Sequence, residues 1–406
     1  MTFVTGFQCL ECAQQLEQAR YNCPSCGGNL DVLYDYDRVR RHLTRESLAR
    51  DSNRSMWRYM PLLPIEPDSP VPPLTVGWTP LYDSPNLASK LGAGRVLIKD
   101  EGRNPTASLK DRPSALLVTK ARELGAKLIT TASSGNAGSA LAGMCAASGM
   151  RSVIFVPVSA PAAKVAQLQV YGATVVLVEG TYDDAVDLSL EAGEHFGWYQ
   201  RSTGYNPFTV EGKKTAAFEI AEQLEWHAPD RVIVGVGDGN IIGGLWKGFT
   251  ELRRLGLIDR LPKVTGVQAE GAAPIVAAVN GDGIVRPVEA KTIADGICVG
   301  RPCDATRAVR AMTESGGGGI SVSDNEILSA IGRLARETGV FAEPGAAASF
   351  AGLVKMQEAS LIDKQESVVL VSTGSGLKDI DSARRGAREP IRIPPDLSAL
   401  ERHLEL

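Results

Sequence analysis

The stretch LITTASSGNAGSALAGMCAAS, residues 128–148, decides the fold class. It begins with an apolar run, passes through a loop of small polar residues and glycine, and continues into a helix-like stretch of small residues. The same order recurs at 153–171, where VIFV precedes another helix-like stretch. Short apolar strands that alternate with helices are typical of parallel βαβ units. These residues therefore predict an α/β protein.

Further apolar runs extend this alternation along the chain. They lie at residues 96–98, 175–178, 231–236, 263–269 and 367–372. We therefore expect two open, twisted, mostly parallel sheets flanked by helices. A length of 406 residues corresponds to roughly two to three domains.

The charge is close to balanced, with 43 Lys and Arg against 47 Asp and Glu and a formal net charge of −4. This balance removes any general electrostatic attraction to nucleic acid or anionic lipid. No apolar run reaches the ~18–20 residues of a membrane span, and residues 1–6 lack the features of a secretory signal. The seven cysteines, an odd number, suit a reducing compartment better than a disulfide framework. We therefore expect a cytoplasmic enzyme that binds neither membrane nor nucleic acid.

Four of the cysteines form two CxxC pairs near the N-terminus, Cys9 with Cys12 and Cys23 with Cys26. Each pair can turn tightly and present two thiolates to one tetrahedral ion. Residues 1–36 therefore predict a small zinc-ribbon-like segment with a structural Zn²⁺, since four thiolates leave no open coordination position. The alternative is a small hairpin with four reduced thiols.

Three loops, each between an apolar run and a helix-like stretch, carry polar chemistry. NPTASLKDR (104–112) places Lys110 at a helix start, which lowers the pKa of an amine. TASSGNAGS (131–139) offers hydroxyls, an amide and backbone N–H groups to a carboxylate. VGVGDGN (234–240) lets the backbone approach a phosphate closely. Each alone could be an ordinary turn, but together they supply an amine nucleophile, a carboxylate site and a phosphate site.

These loops, with GWTPL (77–81) and STGSGLKD (372–379), resemble the fold-type II, tryptophan synthase beta-like, pyridoxal-phosphate enzymes. Within that superfamily the chain resembles threonine synthase most, over nearly all of its length to about residue 379. The resemblance implies a carbon–oxygen lyase with pyridoxal 5′-phosphate (PLP) as cofactor, an amino acid as small-molecule substrate, and a homodimer. It also implies a large PLP-binding domain of residues 37–118 and 206–406 and a small domain of residues 119–205.

The resemblance assigns roles residue by residue. Lys110 would hold the cofactor covalently and serve as the catalytic base, Asn136 would bind the cofactor's 3′ oxygen, and Thr373 would face its pyridine nitrogen. The cofactor's phosphate would be bound by Gly237, Asp238, Gly239 and Asn240, and the substrate's carboxylate by Ser133, Ser134 and Ala137. A neutral hydroxyl opposite the ring nitrogen suits elimination and replacement better than transamination.

Two departures from the threonine synthase pattern bear on the substrate. Thr209 stands where that family has an arginine that binds the substrate's phosphate, and Ser375 stands in place of its histidine. A charge-assisted hydrogen bond contributes about 1.5–3 kcal/mol. Either another cation, such as Lys164 or Lys213, binds the phosphate, or the substrate is not a phosphate ester.

The leading hypothesis is conversion of O-phospho-L-homoserine and water to L-threonine and phosphate. One alternative is β-elimination of the threonine or serine dehydratase kind, whose pattern residues 293–302 also resemble, and another is β-replacement of the cysteate synthase kind. A hypothesis of another class is that the ribbon-like segment binds a macromolecule and that the enzyme body is regulatory or inactive. Acidic residues near the cysteines, such as Glu11 and Asp31, argue against nucleic acid as that macromolecule.

Overall fold

Three β-sheets organise the chain in the computed structural model, which describes residues 2–404. Met1 and residues 405–406, at the outer ends of the first and last predicted domain segments, lie outside the described residues. In chain order, the strands are β1 (Val4–Cys9), β2 (Gln15–Leu16), β3 (Leu30–Tyr34), β4 (Leu81–Asp83), β5 (Arg95–Asp100), β6 (Leu128–Ala132), β7 (Arg151–Pro157), β8 (Thr174–Val178), β9 (Tyr199–Gln200), β10 (Arg231–Gly235), β11 (Lys263–Ala269), β12 (Gly319–Val322) and β13 (Ser367–Ser372).

Helices alternate with the strands through most of the chain. They are α1 (Tyr36–His42), α2 (Arg45–Arg50), α3 (Pro85–Leu91), α4 (Asp111–Glu123), α5 (Asn136–Ala147), α6 (Ala162–Val170), α7 (Tyr182–Phe196), α8 (Phe208–Gln223), α9 (Asn240–Leu255), α10 (Pro274–Val279), α11 (Ala305–Glu314), α12 (Asp324–Thr338), α13 (Pro344–Glu358), α14 (Ile380–Arg385) and α15 (Leu397–Leu404). Short 3-10 turns lie at Met56–Leu62, Glu101–Arg103, Glu270–Ala272, Asp295–Ile297 and Gly376–Lys378. Among the described residues, no helix has both the length and the apolar character needed to cross a bilayer.

The two larger sheets confirm the predicted α/β class. The six-stranded sheet has the order β12-β11-β10-β13-β5-β4 and is parallel except for β4, which pairs antiparallel with β5. The four-stranded sheet has the order β8-β7-β6-β9 and is parallel throughout. Every residue of β6 is buried, as expected for a parallel strand covered by helices on both faces.

The four-stranded sheet and helices α5 to α7 lie within the predicted small domain, residues 119–205. The predicted boundary at 118–119 falls inside α4, which therefore connects the two larger sheets as one continuous helix. The domain boundaries themselves remain predictions.

Buried charges join the central helices to the six-stranded sheet. Arg112 of α4 donates from Nε to Glu101 Oε2 at 2.7 Å and from Nη1 to Glu219 Oε1 at 2.6 Å. Lys99 Nζ donates to Glu219 Oε2 at 2.8 Å, and all four side chains are fully buried. Burial raises the pKa of Glu219, but Arg112 and Lys99 outweigh it and hold that pKa below its usual value. This ion network fixes the start of α4, directly after Lys110.

The four ribbon cysteines lie in or next to the antiparallel sheet β2-β1-β3. This sheet packs against helices of the α/β part of the chain. Tyr34 Oη donates to Glu211 Oε2 of α8 at 2.5 Å. Asp31 forms ion pairs with Lys247 at 2.8 Å and with Arg307 at 2.7 Å. The ribbon-like segment is therefore tied by charge to α8, α9 and α11.

We expect Arg112→Met to destabilise the fold strongly, because Glu101 and Glu219 would lose the guanidinium between them. Removing one partner of a buried ion pair costs about 3–5 kcal/mol. Urea unfolding followed by circular dichroism measures the change. Arg122→Met, at a half-buried position near the end of the same helix where Nη1 donates to Pro70 O at 2.9 Å, is the matched control and should shift the curve much less. Equal effects of the two variants would contradict a stabilising network.

Candidate active site

Lys110 lies where two distant parts of the chain meet. The loop before α4 pairs with the loop after β13: Leu109 N donates to Thr373 O at 2.9 Å and Ser375 N donates to Ala107 O at 3.0 Å. Ala107 adopts the left-handed region, with φ of 65°. This pairing places Leu109, and with it the neighbouring Lys110, next to Thr373, and Lys110 is the residue that directly precedes α4.

The Lys110 amine is set up as a nucleophile. Burial lowers its pKa, the charge of Arg201 lowers it further, and the carboxylates of Asp238 and Glu343 act in the opposite direction. The Nζ atom of Lys110 has no hydrogen-bond partner among residues 2–404. A larger fraction of this amine is therefore neutral at a given pH than in an exposed lysine, which favours attack on a carbonyl carbon.

The loop between β6 and α5 contains the predicted carboxylate site. A Cβ added to Gly138 would lie 2.1 Å from the backbone oxygen of Ser133, so the tight turn requires glycine there. Ser133, Ser134 and Ala137 surround the first turn of α5, whose backbone N–H groups favour an anion. The loop therefore has the chemistry that a carboxylate needs.

Glu343 is a site residue to which the sequence analysis assigned no role, and it contacts Asn136. The Nδ2 of Asn136 donates to both carboxylate oxygens of Glu343, at 2.8 and 3.0 Å. Burial raises the pKa of Glu343, against the effects of Asn136, Lys378 and Lys110. The motif AEP at 342–344 contained the signal, because an acidic residue next to a run of small apolar residues seldom lies buried without a partner.

The glycine-rich loop between β10 and α9 is shaped by close backbone contacts. A Cβ on Gly235 would lie 2.2 Å from Gly345 O, and Gly239 has φ of +90° with Asp304 O at 2.7 Å from an added Cβ. Asn240 begins α9 and donates from Nδ2 to Asp304 Oδ2 at 2.7 Å. The Asp238 carboxylate accepts a hydrogen bond from Cys303 N at 3.4 Å. The loop thus joins tight turns to a helix N-terminus, the arrangement that binds phosphates.

Two more buried cations neighbour Lys110. Lys213 of α8 donates its Nζ to Asn240 Oδ1. Burial, and then the charges of Lys110 and Arg201, lower the pKa of Lys213 well below its ordinary value. Arg201 is fully buried just after β9, and sequence reasoning missed it because it belongs to no recognised motif.

Thr209 and Ser375, which depart from the threonine synthase pattern, form hydrogen bonds with residues close to them in sequence. Thr209 is buried and donates its hydroxyl to Asn206 O at 2.8 Å, while Ser375 Oγ accepts from Leu377 N at 3.3 Å. Lys164, one of the two cations considered for a phosphate, forms an ion pair with Asp295. Lys213 is therefore better placed than Lys164 to face an anion near Lys110.

The four ribbon cysteines form a cluster that could hold a metal ion, since their sulfur atoms all lie within 4.8 Å of one another. Cys9 and Cys26 sulfurs are 3.4 Å apart and those of Cys12 and Cys23 are 3.6 Å apart. A tetrahedral ion with Zn–S bonds of about 2.3 Å separates its ligands by about 3.8 Å. The donor set and its spacing fit such an ion.

Known proteins resemble the chain over almost its whole length. The profile of the family described as pyridoxal-phosphate dependent enzyme matches residues 73–374. The chain is 42% identical to a threonine synthase of Methanocaldococcus jannaschii, over 98% of this chain and 99% of that protein. It is 40% identical to a threonine synthase of Methanosarcina acetivorans, over 97% of each.

Solved structures share the fold. The processed form of threonine deaminase isoform 2 from Solanum lycopersicum superposes with a TM-score of 0.65 at 25% identity, covering 76% of this chain and 87% of that chain. The sequence relatives, however, decide between the branches, because their identity is higher and their coverage nearly complete. The chain therefore belongs to the threonine synthase family of pyridoxal-phosphate-dependent enzymes.

Proposed function

We propose that this protein converts O-phospho-L-homoserine and water to L-threonine and phosphate. The observation that carries the proposal is the half-buried amine of Lys110, which has no hydrogen-bond partner among the described residues and faces the charges of Asp238, just before α9, and of Glu343, which contacts Asn136 at the start of α5. Near-full-length similarity to threonine synthases supports the same reaction.

The residues of the site fit PLP. When bound, PLP supplies a conjugated ring that takes up the electrons released at the substrate's α-carbon. Lys110 would hold the cofactor covalently, Asn136 would bind its 3′ oxygen and Thr373 would face its ring nitrogen. The backbone of Gly237, Asp238, Gly239 and Asn240 would bind its phosphate.

Lys110 also moves the proton at the substrate's α-carbon. With its bond to the cofactor released, the Lys110 amine would be free in a half-buried site where its pKa is lowered, and it would accept that proton as a general base. Ser133, Ser134 and the N–H of Ala137 would hold the substrate's carboxylate and thereby orient the bond to the α-hydrogen. As the phosphate leaves from the γ-carbon a proton leaves the β-carbon, the γ-carbon then takes up a proton to become the methyl group, and water gives its hydroxyl to the β-carbon and its remaining proton to the site or the solvent.

A second candidate is β-elimination from threonine or serine, or β-replacement on a related amino acid. The observation that favours it is Thr209, which stands where the resemblance implies a phosphate-binding arginine. All these reactions begin with the same removal of the α-proton, so the leaving group distinguishes them.

We further propose that the four cysteines bind one structural Zn²⁺, that the protein is a homodimer, and that it works in the cytoplasm without nucleic acid or membrane. The cysteine spacing supports the zinc site. The dimer is what resemblance to the superfamily implies.

A substrate panel tests the reaction. With purified holoenzyme, we expect O-phospho-L-homoserine to yield equal amounts of threonine and phosphate, measured by chromatography and a phosphate assay. Threonine and serine should release little ammonia or keto acid in comparison. Faster keto acid release from threonine or serine, without phosphate-dependent threonine formation, would favour the second candidate instead.

Lys110→Ala should abolish the reaction while leaving the fold intact. It removes both the covalent attachment and the base, so turnover should fall by at least about 10³-fold. The yellow absorbance of covalently attached cofactor should disappear, even if PLP still binds through its phosphate. Lys120→Ala is the control, because Lys120 lies on the same helix and pairs with Glu123 at 2.9 Å. A normal spectrum in Lys110→Ala would refute the role given to this lysine.

Cys12→Ser should lower the metal content of the protein. We expect about one zinc per chain in the wild type and a clear loss in the variant, measured by atomic absorption. Because the ribbon-like segment contacts α8 and α11, thermal stability should fall with the zinc content. Cys145→Ala, a buried cysteine of α5 outside the ribbon, should keep the zinc. A wild type without zinc would leave four reduced thiols as the correct description.

A further inference from the structure

Arg201 is a buried cation without a carboxylate partner. Its side chain is fully buried, Nη1 donates to Thr203 Oγ1 at 2.8 Å and Nε donates to Ser114 Oγ at 3.3 Å. Both partners are neutral hydroxyls, and Nη2 has no partner among the described residues. A guanidinium that is buried with an unused donor is costly unless an anion completes its hydrogen bonds.

The charges around Arg201 favour the binding of an anion. Lys110 and Lys213 are its cationic neighbours, and each has its pKa lowered by the Arg201 charge. Burial lowers the pKa of Arg201 itself to about 10, with Tyr182 of α7 and Asp238 acting in the opposite direction. Three neighbouring basic groups, of which Arg201 and Lys213 are fully buried, thus share Asp238 as a common counter-charge, and Arg201 stays protonated at neutral pH.

The proposed reaction brings three anionic groups to the site: the substrate's carboxylate, already assigned to the loop before α5, the phosphate of PLP and the phosphate of the substrate. Lys213 is bonded to Asn240, the first residue of α9, and so belongs to the loop proposed for the cofactor's phosphate. Arg201 makes no hydrogen bond to that loop. It begins the segment 201–209, whose other end carries Thr209 at the position where the family has its arginine.

We infer that Arg201 binds the phosphate of the substrate through its free Nη2, so that the guanidinium missing at Thr209 is supplied from the opposite end of the same segment. This inference rests on the proposed function. It makes Arg201 the residue that distinguishes a phosphate ester from an uncharged hydroxy amino acid. Thr203 and Ser114 are positioning residues, because they hold the guanidinium through its other nitrogens.

The test compares Arg201→Met with the wild-type holoenzyme. We expect the KM for O-phospho-L-homoserine and the inhibition constant of inorganic phosphate to rise about tenfold or more, as loss of a charge-assisted contact predicts. The dissociation constant of PLP should change by less than about twofold. Arg201→Lys, which keeps the charge but loses the planar fork, should recover part of the affinity. Arg122→Met is the control at a half-buried arginine whose Nη1 donates to a backbone carbonyl, that of Pro70.

Thr203→Val gives a second test if Arg201→Met does not fold. It leaves the charge in place and frees Nη1, so KM should rise severalfold while kcat and PLP affinity stay near the wild-type values. Unchanged KM and phosphate inhibition in these variants would overturn the inference. Weakened PLP binding with unchanged phosphate inhibition would also overturn it, because Arg201 would then serve the cofactor's phosphate.

Calorimetric titration of the holoenzyme with inorganic phosphate separates this inference from the proposed function, because it requires no turnover. Phosphate binding that is lost in Arg201→Met supports the Arg201 site even if the wild type fails to convert O-phospho-L-homoserine. Phosphate binding that is equally strong in Arg201→Met overturns the Arg201 site even if that conversion succeeds.

Discussion

Two backbone hydrogen bonds, between residues 107–109 and residues 373–375, hold the candidate active site together. They join the loop before α4 to the end of β13, the central strand of the six-stranded sheet between β10 and β5. Because β10 is the next strand along, the glycine-rich loop that follows it opens at the same edge of the sheet. Lys110, Thr373 and the proposed phosphate loop therefore come together through strand order rather than through proximity in sequence, as is usual for ligand sites at the carboxyl ends of parallel strands.

The electrostatics of the cleft follow from this placement. Lys110 is half-buried beside the fully buried Arg201 and Lys213, and burial lowers the pKa of each of the three. Such an excess of positive charge is unfavourable in the empty protein and becomes favourable when anions bind. A cofactor and a substrate that both carry phosphate would supply those anions. The ion network at the start of α4 differs from this cleft. There, the carboxylates of Glu101 and Glu219 already neutralise Arg112 within the protein.

Local patterns predicted the fold better than the site. The predicted strands 263–269 and 367–372 have the observed bounds, because the run of apolar residues that forms each strand is encoded within its own segment. Glu343 was not predicted as a site residue, since its contact with Asn136 joins positions 207 residues apart. Arg201 was missed for the same reason: its burial depends on Ser114 and Thr203, which come from α4 and from its own loop. Lys99 ends an apolar run in the sequence, and only the structure shows its ion pair with Glu219.

The central claim is that this cleft is arranged around Lys110, although two other lysines in it also have lowered pKa values: Lys213, bonded to Asn240, and Lys378, whose Nζ donates to Ser139 Oγ at 2.9 Å. Reduction of the holoenzyme with borohydride, followed by mass-spectrometric peptide mapping, tests this claim most directly. The account predicts that the reduced cofactor is found on Lys110. Of the three lysines in the cleft, Lys110 is the one whose amine has no hydrogen-bond partner among the described residues. Cofactor attached to Lys213, Lys378 or any other lysine would contradict it.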